Sequence, residues 1–246
     1  MKNGVTDFGG DGPIVVLLHG FLSSSRYWSR VQPLLSAAGC RVIAVDLLGF
    51  GKALKPHDSE YSYDAHIAYI REMLATLHIT QPFNLVGHSM GGLLAARLAR
   101  DYADEVKTLA LLHPPLYKDT LEVRSTLRGT GVHYRFLLDS RFRRIGWKLV
   151  QTTSPTIARH ADAAREGSMK RVIEPAEIFE DLSLLTMPTF LLVGTRDRHT
   201  YVKNLDGRVM NKRIQIVIEN LTHHSPRREP EYVARMILEL IQNAGQ

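Results

Sequence analysis

Six short apolar runs, each of strand length and separated by stretches of helical periodicity, constrain the fold more than any other feature of this chain. They are residues 14–18 (IVVLL), 42–45 (VIAV), 83–86 (FNLV), 109–112 (LALL), 190–193 (FLLV) and 214–218 (IQIVI). Most are continuous rather than alternating, which is the pattern of parallel strands covered on both faces. Between them, residues 64–78 place Ile67, Ile70, Met73, Leu74 and Leu77 at helical spacing. Residues 231–241 do the same with Val233, Met236, Ile237, Leu240 and Ile241. Alternating strands and helices predict an α/β fold: a mostly parallel central sheet of about six to eight strands with helices on both faces.

One stretch breaks the rhythm. From about residue 117 to 185 no buried strand is evident, only helix-like segments at 134–150 and 155–172. This predicts a core of residues 1–116 and 187–246, with a helical cap inserted over 117–186. The chain of 246 residues, 44% hydrophobic, is long enough to bury one substantial core. Its single cysteine, Cys40, excludes a disulfide framework and is expected to be a small buried residue. The N-terminus has no basic region followed by an apolar stretch, and no run approaches the ~18 apolar residues of a membrane span. The expectation is a cytoplasmic protein without membrane insertion.

The sharpest local signal is Gly87-His88-Ser89-Met90-Gly91, placed directly after one apolar run and before a helical pattern at 93–102. A serine on a tight strand-to-helix turn projects its hydroxyl above the sheet, and glycines beside it remove side chains that would collide. The helix that begins there aims its positive end and the free amide of Met90 at a developing oxyanion. A serine hydroxyl needs a base, and the base needs an orienting carboxylate. Asp197 follows the run 190–193, and His223 and His224 follow the run 214–218. Both positions fall at the carboxyl edge of the sheet, where catalytic groups of open α/β sheets gather.

With these motifs the chain resembles the α/β-hydrolase superfamily, in its cap-bearing, esterase-like branch. The resemblance runs from about Pro13 to the C-terminus and is weakest in the cap. His19-Gly20-Phe21 resembles the family's oxyanion loop, which implies the amide of Phe21 as an oxyanion donor beside that of Met90. Residues 46–51 (DLLGFG) resemble the family's D-x-x-G-x-G turn, and Met187-Pro188 followed by a strand and GTRD resembles the return from the cap. His223 fits the family's spacing on both flanks better than His224, so the implied triad is Ser89, Asp197 and His223. Only twelve residues precede Pro13, so the family's antiparallel edge hairpin is expected to be reduced or absent. Thr222 stands in place of a glycine common before the histidine.

The resemblance implies a serine hydrolase that cleaves a small carboxylic ester, of carboxylesterase type, without a cofactor. Relatives with similar residues cleave carbon–carbon bonds of vinylogous diketones or transfer acyl groups, and some retain the triad as small-molecule sensors. Serine at the elbow speaks against dehalogenase and epoxide hydrolase chemistry, which uses aspartate there in this superfamily. His19 is expected to brace the oxyanion loop, and His88 to pack beside the serine. The remaining histidines show no metal-ligand spacing, so no metal is expected. No G-x-G-x-x-G or phosphate-binding loop and no basic-aromatic interleaving is present, which speaks against nucleotide and nucleic-acid partners.

The formal charge of +6 is unevenly distributed. Residues 117–171 hold 12 basic and 5 acidic residues, against 19 and 20 in the rest. The surplus gathers at Arg135, Arg141, Arg143, Arg144 and Lys148, around Phe136, Phe142 and Trp147. It is either a solvated helix face or a means of attracting an anionic small-molecule substrate.

Overall fold

A computed structural model describes residues 4–129, 158–208 and 210–244. Seven strands form one sheet: β1 (Val5–Asp7), β2 (Ile14–Leu18), β3 (Arg41–Val45), β4 (Phe83–His88), β5 (Val106–Leu112), β6 (Thr189–Gly194) and β7 (Ile214–Glu219). Their spatial order is β1-β3-β2-β4-β5-β6-β7. Strands β2 to β7 are parallel, and only β1 runs antiparallel, against β3. Among the described residues this edge is one three-residue strand, pinned where Arg41 donates to Asp7 at 2.6 Å.

Every residue of β2 is buried, and successive side chains go to opposite cores. Val16 and Leu18 join the face that packs against α2 (Tyr63–Thr76) and α3 (Met90–Asp101). Val15 and Leu17 join the other face, covered by Leu35 of α1 (Gln32–Ala37) and by Val233, Ile237 and Ile241 of α9 (Pro230–Asn243). A strand covered twice has no solvent side on which to place polar residues, which is why the runs are continuous. Helix starts follow local chemistry. Ser62 caps α2 by accepting from the Ala65 amide, and Pro230 opens α9, where its missing N–H costs nothing. Cys40 is buried at the start of β3, as its apolar neighbours require.

The connection leaving β5 opens with α4 (Thr120–Gly129) and re-enters through α5 (Asp162–Ser168), a wider π-type turn (Met169–Ile173) and α6 (Ile178–Ser183). The segment 134–150 lies outside the described residues, and 155–172 is described from residue 158 on. Those later residues do not stand apart from the sheet. Ala164, Met169, Val172, Ile178 and Leu182 belong to the same buried cluster as α2 and α3. Polar ties reinforce the contact: His66 Nε2 is 2.9 Å from Ser168 Oγ, and the Tyr63 hydroxyl donates to the Val172 carbonyl.

A charged cluster fastens α6 to α3. Arg97 donates to Glu177 and Asp181, Arg100 donates to the same oxygen of Asp181, and the Arg97 guanidinium lies 4.1 Å from the centre of the Tyr63 ring. Burial pushes the Asp181 carboxyl above its usual range, although Arg97 and Arg100 pull it down. A buried carboxylate left with half of its compensation is costly. Arg97→Met is therefore expected to destabilise the protein by about 3 kcal/mol. Adding Asp181→Leu should recover most of that loss, as read from urea unfolding midpoints.

Candidate active site

The chain passes from β3 across β2 to β4, so the carboxyl ends of β2 and β4 sit side by side where the strand order switches. Leu18 pairs with Gly87, which puts His19-Gly20-Phe21 beside His88-Ser89-Met90. Ser89 adopts φ 54° and ψ −123°, left-handed backbone that a non-glycine residue takes only when its surroundings impose it. Its amide donates to the Leu112 carbonyl at 3.0 Å, and its carbonyl begins the hydrogen bonding of α3. Close approach explains the glycines. A Cβ on Gly87 would strike the backbone of Gly91 and Gly92, and one on Gly91 would strike the carbonyls of Leu18 and His19.

The loop that carries Phe21 is braced from behind. His19 is fully buried; its Nδ1–H donates to the Gly20 carbonyl at 2.8 Å, and its Nε2 accepts from the Leu47 amide at 2.9 Å. These two bonds fix one neutral tautomer, and burial holds its pKa below the ordinary value. Asp46, from the D-x-x-G-x-G turn, accepts from the amides of Ser25 and Lys52 and so ties that turn to the loop after β2. A side chain on Gly51, at φ 55°, would collide with this carboxylate.

Asp197 sits on the turn between β6 and α7 (His199–Leu205), where its amide donates to the Gly194 carbonyl. His223 sits on the turn after β7, and its Nδ1–H donates to Asp197 Oδ2 at 2.7 Å. Burial raises the Asp197 pKa, but the hydrogen bond and charge of His223 and the Arg198 amide outweigh it and hold the carboxyl below its usual range. The Arg196 guanidinium turns away, to the Asn220 carbonyl. His224 makes no bond to Asp197; its Nδ1 lies 3.4 Å from the Tyr27 hydroxyl.

Ser89, His223, Gly20 and Phe21 line one cavity of about 570 Å³, within the range of small-molecule sites. Met90 begins α3 directly behind Ser89. Arg135, Arg141, Arg143, Arg144 and Lys148, with Phe136, Phe142 and Trp147, the basic cluster of the expected cap, lie outside the described residues. Among the described residues no cluster of histidine, cysteine and carboxylate groups is arranged to hold a metal ion, and no helix is long and apolar enough to cross a membrane.

Two histidines matter more than their sequence context suggests. His88 Nε2 lies 2.7 Å from the His223 carbonyl, which can only accept, so this N–H steadies the backbone of His223. The Tyr27 ring stacks on His88, with its hydroxyl 3.0 Å from the same nitrogen. His113, immediately after β5, accepts from the Gly194 amide at Nδ1 and donates through Nε2–H to Ser225 Oγ at 2.7 Å. It therefore joins the turn of Asp197 to the turn of His223. Its position at the end of a strand was the available signal, since that edge gathers functional groups.

A doubly covered parallel sheet with a strained serine elbow and a carboxylate–imidazole pair at its carboxyl edge defines a hydrolase-type α/β class. Residues 13–145, more than half of the chain, match the alpha/beta hydrolase fold family. The chain belongs to that family. It is 43% identical over 106 residues to a probable lysophospholipase, BODYGUARD 3, of Arabidopsis thaliana, covering 42% of this chain and 21% of that protein. It is 39% identical over 134 residues to a fluoroacetate dehalogenase of Burkholderia sp, covering 52% and 43%. The matches to the BODYGUARD proteins thus span only about a fifth to a quarter of their length. The enol-lactonase of Burkholderia xenovorans LB400 superposes with a TM-score of 0.73 at 19% identity, covering 97% of this chain and 95% of that one.

Buried neutral histidines make stability depend on pH. Burial first, and then the charge of His223, pushes His113 down to about 4; burial and His19 push His66 down to about 3. Unfolded histidines titrate near 6.5, so as pH falls from there toward 4 the unfolded chain takes up protons that the native state refuses. Stability therefore rises with pH across this window and is lost on acidification. The urea midpoint is expected to be lower at pH 5 than at pH 7, and an equal or higher midpoint at pH 5 would contradict this.

Proposed function

We propose that the protein is a serine hydrolase that cleaves a small carboxylic ester by acyl transfer. The observation that carries this reading is the 2.7 Å bond from His223 to Asp197, on the cavity that Ser89 also lines. Ser89 attacks the ester carbonyl while His223 Nε2 takes its proton, and the proton then passes to the leaving alcohol. Asp197 holds Nδ1 protonated, which leaves Nε2 free as the base, and it stabilises the imidazolium that forms. The amides of Phe21 and Met90 receive the oxyanion of the tetrahedral intermediate. Water then attacks the acyl-enzyme, with His223 again as base. No step calls for a cofactor.

Serine at position 89 supports acyl chemistry over the dehalogenation named for the Burkholderia relative. The inserted segment 117–186 acts in this reading as a cap over the cavity.

Ser89→Ala and His223→Ala are each expected to lower kcat by about 10⁴-fold or more, because triad members act as a unit. Asp197→Asn should cost about 10⁴-fold, since it releases the tautomer. Activity retained in His223→Ala and lost in His224→Ala would move the base to His224. A second variant tests geometry: a Cβ at residue 20 would meet Ser89 Cβ at 2.9 Å and His88 Nδ1 at 3.1 Å. Gly20→Ala should therefore reduce turnover by about 10²-fold through misplacement of the serine. The assays use p-nitrophenyl esters of varied chain length together with a vinylogous diketone, and turnover of the diketone alone would replace ester with carbon–carbon cleavage.

A further inference from the structure

The cavity beside Ser89 carries cations of its own, from the sheet-forming part of the chain. Arg227 and Arg228 close the short helix α8 (Ser225–Arg228), immediately after the two histidines. Arg30 follows the 3₁₀ turn Ser25–Trp28. All three line the cavity with Ser89 and His223. Arg30 Nη1 donates to the Arg227 carbonyl at 2.9 Å, which fastens Arg30 to α8. Among the described residues none of the three makes an ion pair, unlike Arg41, Arg71, Arg97 and Arg100, which each have a carboxylate.

All three are exposed on the cavity wall, where water screens their mutual repulsion and leaves the guanidinium groups accessible to an anion. Among the described residues no carboxylate pairs with them; Glu229, next in sequence, keeps one carboxylate oxygen buried and without a hydrogen bond. Asp197 is engaged with His223, and the Tyr27 hydroxyl is kept protonated by burial. His224, which faces the same groups, is biased to its neutral form by burial, then by His223, Arg227 and Arg228. In sequence, residues 130–157 contribute five basic residues and one acid, Asp139. Guanidinium groups recognise carboxylate and phosphate oxygens through paired, charge-assisted hydrogen bonds.

We infer that Arg30, Arg227 and Arg228 form an anion subsite, and that the substrate cleaved at Ser89 carries a carboxylate or phosphate group near its scissile carbonyl. This deepens the serine hydrolase reading and rests on it for the cleavage step, whereas the anion subsite itself rests on the three arginines. The preference for anions then belongs to the wall built by α8 and does not require the cap arginines.

The test compares kcat/KM for 4-nitrophenyl valerate, 4-nitrophenyl glutarate and the 4-nitrophenyl ester of 4-phosphonobutyrate. The wild type should favour at least one anionic ester over the neutral one by about tenfold or more, and the better of the two identifies the anionic group. Arg227→Gln/Arg228→Gln should collapse that ratio toward one, while Arg235→Gln, on the exposed face of α9, should leave it unchanged. A wild-type ratio near one, or an unchanged ratio in the double variant, overturns the subsite. Thermal shifts with glutarate and with inorganic phosphate separate the two ideas. If no ester is turned over, the hydrolase reading fails. An anion-dependent rise in Tm that disappears in the double variant still supports the subsite, and no rise in the wild type rejects it.

Discussion

The left-handed backbone at Ser89 is the constraint around which the rest of the site is arranged. A non-glycine residue at φ 54° costs of order 1–3 kcal/mol and persists only where neighbours impose it. Here they do. The Ser89 amide is held by the Leu112 carbonyl on the adjacent strand, and α3 starts from the Ser89 carbonyl. The turn is crowded enough that Gly87, Gly91 and Gly20 have no room for a Cβ. The serine, the loop carrying Phe21 and the end of β5 are therefore positioned by the same few contacts. The result is a serine held at the carboxyl edge of the sheet, where it lines the cavity.

Around that elbow the protein sets a belt of histidines with different roles. His19, His88 and His113 are buried, and burial biases each toward its neutral form. Each links turns that come from separate strands: His19 joins Gly20 to Leu47, His88 reaches the His223 carbonyl, and His113 joins Gly194 to Ser225. His223 alone among them meets the Asp197 carboxylate at hydrogen-bond distance, and it keeps partial access to the cavity. Neutral imidazoles suit this structural role because one nitrogen donates and the other accepts, so a single buried ring can bind an amide and an oxygen together.

Much of the architecture was legible because the physics that produces it is local. Continuous apolar runs marked the strands to within a few residues, since a strand packed on both faces excludes polar side chains. The elbow was legible because a tight turn beside other backbone needs glycine at fixed spacing. The antiparallel strand β1 gave no such signal: three residues, only Val5 of them buried, are held by pairing with β3 and by Arg41. Beyond the position of His113 at a strand end, the linking roles of His88 and His113 gave no signal, because each partner is remote in sequence and the spacing of these residues matches no motif. Arg30 and Arg227, separated by nearly the whole chain, become neighbours only when the first and last helical layers meet on one face of the sheet.

The sequence by itself determined the layered α/β order, the glycine-framed serine between a strand and a helix, and an acid and two histidines downstream in matching positions. These depend on side-chain size and periodicity, which act over a few residues. Tertiary structure decided which histidine meets Asp197. Residues 223 and 224 are adjacent and chemically identical, and only the turn after β7 directs one ring to the carboxylate and the other toward Tyr27. It also decided where uncompensated positive charge meets the cavity. Charge counted along the chain singled out residues 117–171 and gave no sign that folding also brings Arg30, Arg227 and Arg228 to the cavity that Ser89 lines. Electrostatics acts through distance in space, which the order of residues does not encode.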